Sequence, residues 1–245
     1  MKTPNGILYN SIKEMLDQPH LLIAGSTGSG KSVLINTLIY SILYKFPKQA
    51  RLVLIDPKRV ELRKWEKVPH TIIYANTDEA IANAINRVIE GMEARFKQME
   101  YKRLSMYDGS DVYVIIDEYL DLKLRFNKEI EKKIIRLACL GRASRIHLIL
   151  ATQRPTRDVI NGSIKACMDW RVALRCSDQQ ASRNIMGSNN AYGLPQYGYG
   201  YLQLPTKTEL IEIPYTTPEE LEQRAEFWKS QRVGFFEKMK YKNFI

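Results

Sequence analysis

Short runs of apolar residues alternate along the chain with longer segments in which apolar residues recur at helical spacing. The runs predict buried strands at residues 21–24, 51–56, 112–116, 146–151 and 170–175. The helical spacing predicts helices at residues 32–44, 77–101, 127–140 and 178–186. This alternation is typical of an α/β fold with a mostly parallel sheet and helices on both faces. Because the chain has no internal repeat and no low-complexity linker, we expect a single domain across residues 1–245.

The two ends of the chain fall outside this alternating pattern. Residues 1–18 predict a short lead-in with an amphipathic segment, which Pro19 ends before the first strand. Residues 202–213 predict a further strand, and Thr217 predicts the start of a last helix because it opens a capping box. Residues 232–245 form a basic tail with several aromatic side chains. We expect no separate domain ahead of the first strand.

Tyrosines and glycines are interleaved between residues 192 and 201. Interleaved aromatic residues are able to stack on nucleic-acid bases, which is one interpretation of this stretch. A tight hairpin near the subunit surface is the other interpretation, and it is the one we favour.

A glycine-rich turn joins the first predicted strand to the first predicted helix, with the sequence G-x-x-x-x-G-K-S. This spacing is typical of the phosphate-binding P-loop, whose glycines let backbone N–H groups converge on an anion at a helix N-terminus. We expect Lys31 to reach the β- and γ-phosphates and the Ser32 hydroxyl to ligate Mg²⁺. The alternative is a glycine-rich turn that precedes a lysine by chance, and the strand–turn–helix context argues against it. The residues predicted to bind a nucleoside triphosphate are Gly25, Ser26, Thr27, Gly28, Ser29, Gly30, Lys31 and Ser32.

The third predicted strand, residues 112–116, is an apolar run that leads into two neighbouring carboxylates, Asp117 and Glu118. This is the Walker B pattern, in which we expect Asp117 to help hold Mg²⁺ and Glu118 to polarise the attacking water. Such a pair is also a common helix start, but the P-loop upstream favours the catalytic interpretation. The strand at residues 146–151 runs into Gln153, whose amide is suited to sense a γ-phosphate. We interpret His147, within that strand, as a core histidine whose hydrogen bonds are satisfied.

The 245 residues carry a formal net charge of +10, which favours a polyanionic partner, either nucleic acid or an anionic membrane surface. The sequence has no apolar stretch long enough to span a membrane, and its N-terminus lacks the apolar core of a signal peptide. Cys139, Cys167 and Cys176 are too few and too scattered for a disulfide framework or a zinc site. We therefore expect three apolar core cysteines in a protein of the reducing cytoplasm.

Four stretches in order along the chain resemble the FtsK/SpoIIIE family of DNA translocases. They are residues 19–32 around the P-loop, the I-D-P-K-x-x-E-L stretch at 55–62, residues 114–118, and residues 142–155, which end in A-T-Q-R-P. The resemblance runs from about residue 19 to residue 213 and implies a RecA-like core that hydrolyses ATP with Mg²⁺. It also implies a homo-hexameric ring threaded by double-stranded DNA.

The resemblance assigns further roles to basic residues. It implies that Arg142 acts in trans on a neighbour's γ-phosphate, where a guanidinium stabilises transition-state charge; Arg145 is a nearby candidate, and a surface ion pair is the alternative for either. Pore loops follow the fourth and fifth predicted strands in this family, which implies DNA contacts for Arg154 and Arg183. The less certain helpers are Arg157 and Lys165. Phosphate contacts suit a motor that moves over any sequence. Where the family often has a lysine shortly before Arg183, this chain has Gln179.

Other departures from the family concern the functional setting. The sequence lacks the family's membrane segments and its C-terminal winged-helix module, and its lead-in is short. We expect a minimal motor that serves DNA transfer or replication for a plasmid or another mobile element. The alternative is a nucleotide-switched adaptor that couples a relaxase or a replication initiator to DNA. A motor on single strands, with residues 192–201 stacking on bases, ranks lower. The set that favours an enzyme is Lys31, Asp117, Glu118, Gln153 and Arg142.

Overall fold

The computed structural model describes residues 15–16, 18–126 and 128–231. Within these residues, eight strands form one sheet in the order β3-β2-β4-β5-β1-β6-β7-β8. Strands β1 to β6 pair in parallel, whereas β7 and β8 add an antiparallel edge. The strands are β1 His20–Ala24, β2 Ala50–Ile55, β3 Thr71–Ala75, β4 Asp111–Ile116, β5 Ile146–Thr152, β6 Arg171–Leu174, β7 Tyr199–Gln203 and β8 Thr208–Glu212.

Helices cover both faces of this sheet. Alternate residues of a strand point to opposite faces, so Leu22 and Ala24 enter one apolar core while Leu21 and Ile23 enter the other. The helices are α1 Lys31–Lys45, α2 Asp78–Lys102, α3 Tyr119–Arg125, α4 Lys128–Leu140, α5 Gly162–Cys167, α6 Gln179–Met186 and α7 Pro218–Lys229. Residues of α2 and α4 belong to the first core, and residues of α1 and α7 to the second. The predicted mostly parallel α/β architecture is confirmed.

Side-chain caps fix where two of the helices begin. The Thr77 hydroxyl accepts a hydrogen bond from the Ala80 N–H and so caps the start of α2. Thr217 caps α7 in the same way, and the Glu220 side chain returns a bond to the Thr217 N–H, which completes the predicted capping box. Among the described residues, the structure has no helix long and apolar enough to cross a membrane.

The structure differs from the sequence prediction in several elements. The single strand predicted at residues 202–213 is two strands, β7 and β8, because Pro205 cannot donate to a ladder and the turn closes through the Leu204 N–H and the Lys207 carbonyl. Strand β3 is missing from the prediction because it lies at the sheet edge, where its apolar side chains stay partly exposed. Two short helices, α3 and α5, are also missing from it. The tail and most of the lead-in lie outside the described residues.

The cysteines only partly follow the prediction. Cys176 is buried, and burial raises the pKa of its thiol to about 12, with a smaller contribution from Asp178. Cys139 and Cys167 are not free core thiols: they form a disulfide between α4 and α5, with their Cα atoms 5.0 Å apart. Sequence spacing does not reveal this pair, because the fold brings together two helix ends that lie 28 residues apart along the chain.

Reducing this disulfide is expected to lower the free energy of unfolding by about 2–4 kcal/mol, since the bond restricts the unfolded chain. Thermal unfolding followed by circular dichroism, with and without a phosphine reductant, measures the effect. The Cys139→Ser/Cys167→Ser variant is the control, and its melting temperature should be low and indifferent to reductant. Equal melting temperatures for the oxidised and reduced wild-type protein would contradict the prediction.

Candidate functional site

The ends of three neighbouring strands build the site. Strand β5 lies between β1 and β4, and all three are parallel, so their carboxyl ends meet at one edge of the sheet. The P-loop follows β1, Gln153 follows β5, and Asp117 and Glu118 follow β4. This order places the residues predicted to act on a nucleotide side by side.

The backbone of the P-loop is shaped by its glycines and held by the next strand. Gly30 is the N-cap of α1 with φ 92°, a left-handed conformation that favours glycine. A side chain at Gly25 would bring a Cβ within 2.4 Å of the Ser29 hydroxyl. Ser26 donates from its N–H and its hydroxyl to the Arg175 carbonyl, at 2.8 and 2.9 Å. The loop is therefore fixed relative to the end of β6.

Lys31 and Asp117 form a buried ion pair at the centre of the site. The Lys31 ammonium donates to the Asp117 carboxylate at 2.7 Å and to the Asp117 carbonyl at 2.8 Å. Their side chains are only 5% and 1% exposed. Burying both charges costs a large desolvation free energy. A pair that served only to stabilise the fold would not need to be charged. The structure thus brings together the two residues predicted for phosphate and Mg²⁺.

Glu118 is held by three groups, two of them at the end of β5 and one in the segment after β2. Its carboxylate accepts hydrogen bonds from the Thr152 hydroxyl at 2.9 Å and from the Gln153 N–H at 3.1 Å. Its other oxygen lies 3.3 Å from the Lys58 ammonium, and the Glu118 side chain is 4% exposed. Lys58, which follows β2, is a site residue that the sequence prediction did not assign. The available signal was its place in the I-D-P-K-x-x-E-L stretch.

Gln153 connects the P-loop to the carboxylate. Its side-chain oxygen accepts a hydrogen bond from the Thr27 hydroxyl at 2.9 Å, while its backbone N–H donates to Glu118. Gln153 therefore contacts the P-loop through its side chain and the Glu118 carboxylate through its backbone. This position suits the predicted sensor of the γ-phosphate.

An open cavity of about 720 Å³ lies over the P-loop, which is within the size range of small-molecule sites. Its lining includes most of the P-loop together with Gln153 and Glu61. Tyr197 and Tyr215 also line it, and the sequence prediction gave neither of them a role at this site.

The oxygen atoms available for a metal ion fit Mg²⁺. Within the part of the chain that the structure describes, no group of three or more His, Cys, Asp or Glu residues has the arrangement of a metal site. Mg²⁺ commonly takes only one or two protein ligands and completes its shell with water and phosphate oxygens. The Ser32 hydroxyl at the start of α1 and the Asp117 carboxylate provide such a partial set.

Arg142 lies at the opposite edge of the sheet. It is exposed and lies before the first residue of β5, whereas the P-loop lies at the edge of the sheet where β5 ends. Seven strand residues separate the two edges by roughly 20 Å. The pKa of His20 is lowered to about 3, chiefly by burial and then by the charges of His147 and Arg142. Arg142 is therefore close to His20. The guanidinium therefore lies far from the P-loop of its own chain.

Arg145 and His147, near Arg142 in sequence, have partners within the chain. Arg145 lies 3.1 Å from the Asp111 carboxylate, and the same carboxylate contacts His147 at 2.9 Å. The backbone of Arg145 is left-handed, with φ 54°. These contacts agree with the ion-pair alternative for Arg145 and with the structural interpretation of His147.

The basic residues expected to contact DNA occupy different surroundings. Arg154 and Arg157 are exposed in the segment after β5, and Arg183 is exposed on α6, where it donates to the Asn189 side chain at 2.6 Å. Lys165 is partly buried on α5. Burial lowers its pKa, and so do the charges of Arg171 and Arg157. The structure brings Arg157 and Lys165 near each other.

A model of the FtsK/SpoIIIE family matches residues 5–111 and 105–157. The chain belongs to this family. A DNA translocase FtsK of Pseudomonas syringae pv. tomato is 36% identical over 89% of the chain, and one of Helicobacter pylori is 37% identical over 93%. The aligned parts are 32% and 29% of those relatives, so the chain spans about a third of the length of the curated relatives it matches.

Solved structures agree with the family assignment. The pCW3 conjugation coupling protein TcpA, with ATPγS, superposes with a TM-score of 0.74 and 25% identity, covering 85% of this chain and 64% of TcpA. The cytoplasmic domain of the Thermomonospora curvata type VII secretion ATPase EccC gives a TM-score of 0.73 and 22% identity, covering 87% and 28%. The fold is the RecA-like P-loop ATPase fold that the resemblance implies.

Proposed function

We propose that this protein is an ATP-dependent translocase of double-stranded DNA that works as a homo-hexameric ring. The observation that carries the proposal is the division of the site between two sheet edges. Lys31, Asp117 and Glu118 cluster at one edge, and exposed Arg142 lies at the other. A ring in which the second edge of one subunit faces the first edge of the next completes every site. The similarity to proteins that are named DNA translocases supports DNA as the substrate.

Each residue at the P-loop edge has a role in this proposal. The P-loop N–H groups and Lys31 hold the β- and γ-phosphates of ATP, which requires Lys31 to exchange part of its contact with Asp117 for phosphate. Ser32 and Asp117 hold Mg²⁺, which neutralises charge on the phosphates. Glu118 orients and polarises the attacking water. Gln153 senses the γ-phosphate and couples it to Glu118, because it bonds to the Thr27 hydroxyl on one side and to the Glu118 carboxylate on the other. The ATPγS bound to TcpA supports ATP as the nucleotide.

The first residue that we expect to contact DNA comes directly after the proposed γ-phosphate sensor, Gln153, in the chain. Arg154 comes immediately after Gln153, and Arg183 lies on α6, which follows β6, so both belong to segments that leave the nucleotide edge. In the sheet, β1 lies between β5 and β6. We assign phosphate contacts to these two residues, with Arg157 and Lys165 as helpers. Phosphate contacts carry no sequence information, which suits movement along any duplex. The net charge of +10 supports a polyanionic partner.

The proposed setting is the cytoplasm, with residues 1–245 acting as one motor domain for a plasmid or another mobile element. The fold shared with a conjugation coupling protein supports DNA transfer. It equally supports the alternative, an adaptor that links a relaxase or a replication initiator to DNA. The Cys139–Cys167 disulfide would be unusual in a reducing cytoplasm, where such bonds are rare.

Stimulation of ATP hydrolysis by DNA tests this function. Linear duplex should stimulate hydrolysis by the purified protein several-fold, and the stimulation should weaken with salt because counterions compete for phosphate contacts. The Arg154→Ala variant should lose most of the stimulation. A matched control is Arg136→Ala, which removes an exposed arginine that pairs with Glu93 on the surface. Slow hydrolysis that duplex does not change, despite measurable DNA binding, would favour the adaptor.

A further inference from the structure

Two exposed aromatic rings form a rim of the cavity over the P-loop. Tyr197 is 66% exposed and Tyr215 is 78% exposed, and both line the same cavity as Ser26, Lys31 and Ser32. Large aromatic side chains are usually buried for their apolar area, so two exposed rings at one cavity point to a ligand.

The edge hairpin brings these two rings together. Tyr197 lies two residues before β7, and Tyr215 lies three residues after β8. The pairing of Tyr199 with Glu212 is extended by a hydrogen bond from the Ile213 N–H to the Gly198 carbonyl at 2.8 Å. Continued by one more step, this register puts Tyr197 next to the Pro214–Tyr215 segment. The observed pairing thus ends one residue before Tyr215's neighbour Pro214 and directly after Tyr197, so both tyrosines lie close to paired backbone.

The same segment reaches the phosphate loop. A Cβ built on Gly28 would lie 3.4 Å from the Gln196 side-chain nitrogen, so residue 196 packs against the P-loop itself. The neighbouring Tyr197 consequently stands beside the place where the phosphates bind. A nucleotide held by its phosphates at the P-loop extends into the remaining part of the cavity, where the tyrosines are.

We propose that Tyr197 and Tyr215 form the nucleobase subsite and stack on the base of the bound nucleotide. This inference rests on the nucleotide site of the proposed function, and within residues 192–201 it assigns Tyr197 to a mononucleotide rather than to a DNA strand. Aromatic stacking is tolerant of base identity because every base has a π-face. The subsite therefore adds affinity for adenine and guanine nucleotides alike, while the P-loop recognises the phosphates.

Calorimetric titration of ATPγS with Mg²⁺ into the full chain tests the subsite. The Tyr197→Ala and Tyr215→Ala variants should each bind ATPγS roughly 5- to 100-fold more weakly, the range for loss of one stacked aromatic ring. The Tyr197→Phe and Tyr215→Phe variants keep the ring and should bind like wild type. Tyr192→Ala is the matched control, since Tyr192 is exposed in the same stretch but is outside the described lining of the cavity.

Inorganic tripolyphosphate, used as a competitor of ATPγS, separates stacking from damage to the P-loop. Because it has no base, its inhibition constant should be the same for the wild-type and alanine variants. Unchanged ATPγS affinity in both alanine variants would overturn the subsite, and so would an equal loss for ATPγS and tripolyphosphate. Failure of the wild-type protein to bind ATPγS would refute the proposed function itself. If the alanine variants bind ATPγS more weakly as expected but duplex DNA does not stimulate ATP hydrolysis by the wild-type protein, only the translocase function would be refuted.

Discussion

Replacing Glu118 with glutamine is expected to lower the rate of ATP hydrolysis by about two to four orders of magnitude, the range for a general base, while ATP stays bound. Glutamine has nearly the same shape, so it keeps an oxygen for the Thr152 hydroxyl and the Gln153 N–H. It lacks the negative charge that polarises water and pairs with Lys58. Steady-state hydrolysis and calorimetric ATPγS affinity, measured on the same preparation, test both halves of the expectation.

The matched control is Glu93→Gln, the same chemical change at an exposed carboxylate that pairs with Arg136. It should leave both hydrolysis and ATPγS affinity near wild type. Wild-type turnover in the Glu118→Gln variant would exclude Glu118 as the base. A loss of ATPγS affinity as large as the loss of turnover would show that Glu118 mainly supports the structure of the site.

The sequence was sufficient for the features that depend on contiguous residues or on a general rule of parallel sheets. The P-loop is a single local stretch, and its flanking strand and helix follow from apolar spacing. Lys31 and Asp117 are 86 residues apart, yet their meeting was predictable because strands of a parallel sheet share one carboxyl edge. The caps at Thr77 and Thr217 are equally local.

Contacts that depend on the strand order were not predictable. Lys58 reaches Glu118 because β2 lies directly beside β4, which no local pattern indicates. Tyr197 and Tyr215 meet the P-loop only because the hairpin folds at the edge next to β6. The Cys139–Cys167 pair likewise needs two helices to pack together. In each case, the decisive partner lies far away in sequence.

The position of β5 in the sheet connects the P-loop with the Glu118 carboxylate. Because β5 lies between β1 and β4, the residue at its end, Gln153, contacts Thr27 on one side and Glu118 on the other. Arg154, the proposed DNA contact, is the next residue along the chain. In the proposed translocase, a pull on Arg154 by DNA would act next to the backbone N–H that donates to the Glu118 carboxylate. The proposed stimulation of hydrolysis by DNA would use this route.

Replacing Arg142 with alanine is expected to lower ATP hydrolysis by about three orders of magnitude or more, the range for an arginine supplied across an interface. The guanidinium stands roughly 20 Å from the P-loop edge of its own chain, which supports the proposal that it serves a neighbouring subunit. Steady-state hydrolysis measures the loss. The matched control is Arg145→Gly, which removes a nearby guanidinium that pairs with Asp111. Glycine is chosen because the backbone φ of residue 145 is 54°, which glycine adopts without strain. This control should hydrolyse ATP at close to the wild-type rate.

Mixed rings decide whether Arg142 acts in trans. When Arg142→Ala and Glu118→Gln subunits are combined in equal amounts, roughly a quarter of the interfaces in a randomly mixed closed ring pair an intact Glu118 with a neighbour's intact Arg142. Hydrolysis should therefore recover to about that share of the wild-type rate, although each variant alone is inactive. Action within one chain predicts no recovery, because every subunit lacks one of the two groups. That outcome, in rings shown to mix, would contradict the division of the site between two sheet edges.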